Sequence, residues 1–109
     1  MLYLVTLHVC NDLSYEDSWD RDEVVGVFDS TESAEAVIMD QYTKEANKAN
    51  DYKYRGFTLS KSIEKIICDD GEIIFEFETE QYMETITHTY SIQSIDINQV
   101  LNATESEEE

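Results

Sequence analysis

Alternation of apolar and polar positions runs through most of this chain. From Leu2 to Val9, Tyr3, Val5, Leu7 and Val9 fall on one side while Leu2 and Leu4 begin the other. A strand apolar on both sides is predicted to be interior to its sheet. Val24–Phe28 (VVGVF) reads as a second strand. The period then changes: Ala34, Val37, Ile38, Tyr42 and Ala46 recur at three and four residues, the stripe of a helix from about Thr31 to about Asn47. Asp29 or Ser30 is placed to cap it, and Glu32 or Glu35 suits the positive end of its dipole. Glu32, Glu35, Asp40, Lys44 and Lys48 make up the opposite side.

The strand pattern returns after a loop at Asp51–Gly56, with Phe57, Leu59, Ile63 and Ile66–Cys68. Asp69-Asp70-Gly71 is a hairpin signal, since these residues tolerate positive φ. In the next strand, Ile73, Phe75 and Phe77 stand against Glu72, Glu76, Glu78 and Glu80. Tyr82–Ile92 continues the meander, with Tyr82, Ile86, Tyr90 and Ile92 on one side and Met83, Thr85, Thr87 and Thr89 on the other. Ser94–Val100 extends it or adds a last strand. The thirteen residues Asn11–Glu23 read as a polar connection. The order β-β-α-β-β-β predicts an α+β fold, an antiparallel sheet of about five strands with one helix packed on one face. Residues 1–102 form a single domain in this reading, and 103–109 (ATESEEE) a disordered acidic tail. One helix cannot cover both faces of such a sheet, so the second face is polar or covered by a partner.

Charge sharpens that picture. The 109 residues include 25 Asp and Glu against 7 Lys and Arg, a formal net charge of −18. This excludes a protein that coats nucleic acid or an anionic membrane, and fits a basic protein partner. The carboxylates cluster in Asn11–Glu23, in Asp69–Glu84, where there is no basic residue, and in the tail. Six of the seven basic residues fall between Lys44 and Lys65. Glu76, Glu78 and Glu80 occupy alternate strand positions and form a row with spacings of about 6.8 Å. A rigid row of negative charge can act as a DNA mimic in a groove built for a phosphate backbone. Carboxylates on a solvent face also keep small proteins soluble and discourage sheet edges from pairing. The candidate partner-binding residues are Asp12, Tyr15, Glu16, Asp17, Trp19, Asp20 and Asp22 in the connection, and Asp69, Asp70, Glu72, Glu76, Glu78 and Glu80 in the hairpin region. Tyr and Trp are included because they are enriched at binding hot spots.

Other chemistry is sparse. There is no apolar run of membrane-spanning length and no export signal, so a cytoplasm with reduced Cys10 and Cys68 is expected. The three glycines build no phosphate loop. His8, Cys10, Cys68 and His88 suit zinc only if their strands converge, and they lack paired spacing. Asp20-x-Asp22 begins like a calcium loop, but Val24 and Val25 stand where a ligand and the turn glycine belong. No nucleophile motif or oxyanion loop accompanies the carboxylates or the Cys and His residues. The expectation is a binding protein, not an enzyme, with no cofactor or metal. A homodimer is compatible with the uncovered sheet face.

The segment VVGVFDSTESAEAVI (Val24–Ile38), preceded by a strand and a polar loop, resembles a small α+β domain frequent in phages and bacterial mobile elements. The likeness covers residues 1–50 and implies no activity. Small size, strong acidity and the acidic tail resemble phage anti-defence proteins of the anti-CRISPR and anti-restriction type. That resemblance implies an inhibitor binding the basic surface of a host nucleic-acid-processing enzyme such as a CRISPR nuclease, without contacting nucleic acid or membrane itself. An immunity protein that neutralises a basic toxin nuclease uses the same chemistry. A regulatory or metal-binding domain is the further alternative.

Overall fold

The computed structural model describes residues 1–11 and 19–95. The expectations for Asp12, Tyr15, Glu16, Asp17, the acidic tail and the part of Ser94–Val100 beyond Ile95 lie outside the described residues. In chain order the elements are β1 (Leu2–Asn11), β2 (Asp20–Phe28), α1 (Thr31–Asn47), a 3-10 turn (Lys48–Asn50), β3 (Thr58–Ile67), β4 (Ile73–Gln81) and β5 (Glu84–Ile95). They build a five-stranded antiparallel sheet in the order β2-β1-β5-β4-β3, with α1 against one face. The α+β class read from the sequence is the class that forms.

The core lies between α1 and the sheet. Val5, Leu7 and Val9 of β1, Phe75 and Phe77 of β4, and Tyr90 and Ile92 of β5 are buried there with Ala34 and Ile38 of α1. Phe77, fully buried, is the centre: Tyr42 meets it edge-on at 5.0 Å, and His88 stacks parallel to it at 4.4 Å. Tyr90 Oη donates to Gln41 Oε1 at 2.6 Å, tying β5 to the helix, and burial pushes the phenol pKa up to about 12. The helix starts where Ser30 Oγ accepts from the Ser33 backbone N–H at 3.1 Å, so Ser30 rather than Asp29 is the cap. Glu35 does not face open water. It reaches Lys65 of β3, 2.6 Å away, along the flank of the helix–sheet layer.

Two expectations about loops are corrected. The connection after β1 ends before Asp20, because Asp20–Glu23 are the first four residues of β2. An edge strand exposed on both sides needs no apolar alternation, and its backbone pairs with β1 whatever its side chains are. Tyr82 is not on the core face. Tyr82 and Met83 form a two-residue connection between Gln81 and Glu84, with φ of 53° and 68°. The other hairpin forms as read: Gly71 takes φ 91°, its N–H donates to the Cys68 carbonyl at 3.0 Å, and Asp70 Oδ1 accepts from the Glu72 N–H at 3.0 Å.

Candidate protein-binding face

The face of the sheet opposite α1 is built by the even-numbered residues of β1 and β4 and their register partners. From the β2 edge, one row across the strands reads Asp20, Cys10, Thr87, Glu78 and Lys61. The next reads Asp22, His8, Thr89, Glu76 and Glu64, and a third Val24, Thr6, Ser91, Ile74 and Ile66. Down the middle run the hydroxyls of Thr6, Thr85, Thr87, Thr89 and Ser91. Carboxylates flank that strip, Asp20 and Asp22 on β2 and Glu76, Glu78 and Glu80 on β4. Three strand-to-strand steps separate the two lines, about 14 Å.

Hydrogen bonds hold several of these groups in place. Glu72 accepts from Ser91 Oγ at 2.9 Å and from Gln93 Nε2 at 3.0 Å, which fixes its carboxylate over the open face. His8 Nδ1 lies 2.6 Å from Asp22 Oδ1. Lys61 Nζ sits 3.5 Å from both Glu64 and Glu76, two carboxylates directly opposite one another in the β3–β4 ladder. The Glu64 carboxylate, with Glu76, raises the Lys61 ammonium above its ordinary value. The row on β4 therefore has a counter-ion that its own stretch of sequence does not supply. Two irregularities in β3, between Leu59 and Lys61 and between Lys61 and Glu64, set that register. Glu78 and Glu80 keep no ion-pair partner among the described residues.

The structure thus brings Asp20, Asp22, Glu72, Glu76, Glu78 and Glu80 to one face. Asp69 and Asp70 are at the β3–β4 turn, where Asp70 serves the turn itself. Trp19 is not part of this face. It lines a cleft on the helix side together with Arg21, Lys48, Tyr54, Phe57 and His88, with a volume of about 250 Å³. Sequence reasoning missed this cleft, although Tyr52, Tyr54 and Phe57 interleaved with Lys53 and Arg55 was its visible signal. The ammonium of Lys48 lies 5.3 Å from the Tyr54 ring centre and 5.9 Å from that of Phe57, and is paired with Glu45 at 3.0 Å. His88 is within 3.2 Å of Thr79 Oγ1, and burial lowers its pKa below the ordinary imidazole value.

His8 and Cys10 face the open side and His88 the helix side, so the residues considered for zinc do not converge. Among the described residues no group of three His, Cys, Asp or Glu side chains is placed to hold a metal ion. No described helix is long and apolar enough to cross a membrane. No protein-family model matches the chain, and neither the curated proteins nor the solved structures compared with it give a match.

Proposed function

We propose that this protein is an inhibitor that uses the open face of its sheet to occupy the basic, nucleic-acid-binding surface of a host nucleic-acid-processing enzyme, as a DNA mimic of the anti-CRISPR type. The observation that carries the reading is the gathering of seven carboxylates, Asp20, Asp22, Glu64, Glu72, Glu76, Glu78 and Glu80, on the one face that α1 leaves uncovered. Rigid strands hold them in place before the partner arrives, so little ordering entropy opposes binding. The central hydroxyls offer hydrogen bonds without adding positive charge. Lys and Arg of the partner release bound counter-ions on this face as they do on DNA, and the negative field speeds encounter.

The test uses Glu76→Lys, Glu78→Lys and Glu80→Lys together, assayed for inhibition of purified CRISPR nuclease–guide complexes cleaving DNA. These side chains point away from the core, so the variant folds. It loses inhibition, chiefly through slower association. Wild-type inhibition weakens as salt rises, and the protein alone does not shift a labelled oligonucleotide. A folded triple variant that inhibits as well as the wild type removes this face from the mechanism.

A further inference from the structure

The open face is acidic over only part of its length. Beyond the row of Asp22, His8, Thr89, Glu76 and Glu64 its side chains change character. The row Val24, Thr6, Ser91, Ile74 and Ile66 is followed by Val27, Leu4 and Gln93, and then by Leu2 and Ile95. Seven aliphatic side chains thus gather around Thr6, Ser91 and Gln93, over about 19 Å across the strands and about 14 Å along them. The helix accounts for one side of β1 only, where Val5, Leu7 and Val9 are buried. Leu2 and Leu4 make the strand apolar on the side that α1 does not touch. An antiparallel sheet with one face in water carries polar residues on that face. The half with the threonines and glutamates obeys this, and the other half does not: Val24, Val27 and Ile66 are 68 %, 51 % and 47 % exposed. A contiguous aliphatic surface rimmed by charge marks a place where another protein binds.

Charge selects what can lie there. The same face carries its seven carboxylates against Lys61 and His8. Glu72 stands within the aliphatic half itself, bonded to Ser91 and Gln93, and no basic side chain pairs with it among the described residues. A second copy laid on this patch would bury Glu72 of both copies in one interface, with Lys61 already held by Glu64 and Glu76. Nucleic acid and an anionic lipid surface are repelled by the same charges. A protein surface with Lys or Arg beside apolar side chains meets both halves. We infer that the partner covers this face along its whole length, through a patch of aliphatic or aromatic side chains bordered by Lys or Arg, one of which pairs with Glu72. The carboxylates steer the partner in, and the aliphatic half holds it. This deepens the proposed inhibitor role, on which it rests for the partner's identity.

Fluorescence anisotropy with two labelled peptides holding the same number of lysines, an oligolysine and an alternating Leu-Lys peptide, reads the two halves separately. The wild type binds both, the Leu-Lys peptide about tenfold more tightly or better. At about 1 M salt, where charges are screened over about 3 Å, only the Leu-Lys peptide stays bound. Val24→Thr, Val27→Thr and Ile66→Thr together put strand-forming side chains at exposed positions, so the variant folds, which thermal unfolding checks. It loses the preference and keeps the oligolysine affinity. From a nuclease–guide complex that the wild type inhibits, it dissociates about tenfold faster or more while associating at the wild-type rate, the reverse of the triple glutamate variant. Equal affinity for the two peptides, a threonine variant that keeps the preference, or one that leaves the nuclease as slowly as the wild type overturns the inference. A preference that the threonine variant abolishes, without inhibition of the nucleases, supports the surface and refutes the inhibitor role instead.

Discussion

Phe77→Ala is the sharpest probe of how this fold is held together. The side chain is fully buried, so truncation cannot be relieved by solvent, and three ring partners surround it: Tyr42 at 5.0 Å, His88 at 4.4 Å and Tyr90 at 6.4 Å. Removing a core phenylalanine costs about 3–5 kcal/mol, and the lost ring contacts place this site toward the upper end. Domains of this size are stable by about 5–15 kcal/mol, so the variant loses a large share of its stability while keeping a folded state to unfold and titrate. Phe75→Ala is the internal comparison. Phe75 is 6 % exposed, with Lys65 Nζ 5.8 Å from its ring centre, so its site is less enclosed and costs less. Urea unfolding followed by far-ultraviolet circular dichroism gives both numbers, with the slope m unchanged if the native states match. A second readout is independent of stability: with the stacked ring gone, water reaches His88 and its pKa rises toward the ordinary value in an NMR titration. A loss under about 2 kcal/mol with the His88 titration unmoved would refute the reasoning, because α1 would then not be seated on Phe77.

Two further outcomes follow from the helix side. Burial holds His88 below its ordinary pKa, so the unfolded chain binds a proton first as pH falls. The stability this group contributes is full above the ordinary imidazole value of about 6.5 and is lost as pH drops through it toward the folded value; urea midpoints at pH 7 and pH 5 should fall more for the wild type than for His88→Gln. Ser30→Ala removes the side chain that accepts from the Ser33 N–H and costs about 1 kcal/mol in thermal unfolding, which Ser30→Asp restores.

Much of this was legible in the sequence because α1 and β4 obey simple periods. The spacing of Ala34, Ile38 and Tyr42 put them on the buried stripe, and the alternation in Glu72–Glu80 sent Phe75 and Phe77 inward and the glutamates outward. What was not legible has physical causes. Asp20–Glu23 carry no apolar pattern because an edge strand in water needs none, so they read as loop. Tyr82 and Met83 lack the Gly or Asn that marks a turn, and the chain accepts the strain instead. That misreading also put Tyr82 on the core face. Lys61 could not be matched to Glu76 from spacing alone, since the irregularities in β3 shift the register. Trp19 and Asp20 are neighbours in sequence, yet Trp19 lines the helix-side cleft while Asp20 stands in the open-face row, a separation that only the strand assignment reveals.

The geometry of the open face leads to one more outcome, about how its two lines of charge combine. Near physiological ionic strength, charges are screened over about 8 Å. Neighbouring glutamates on β4 stand about 6.8 Å apart, inside that length, so Glu76, Glu78 and Glu80 act as one group. The β2 line, Asp20 and Asp22, lies about 14 Å away and is largely screened from it. Under the proposed inhibitor role, reversing Asp20 and Asp22 to Lys, and separately reversing the three glutamates, should therefore weaken inhibition by factors that multiply in the combined variant. At about 0.01 M salt the screening length grows to about 30 Å and spans both lines. The combined loss should then depart from the product, because each line feels the reversal of the other. Association rates for the wild type, the two partial variants and the combined variant, at both salts, make a double-mutant cycle. Additivity at both salts would mean that the partner meets the lines at separate places. Strong coupling at physiological salt would mean that the lines are linked by contact rather than by field, through a single partner group bridging the threonine strip.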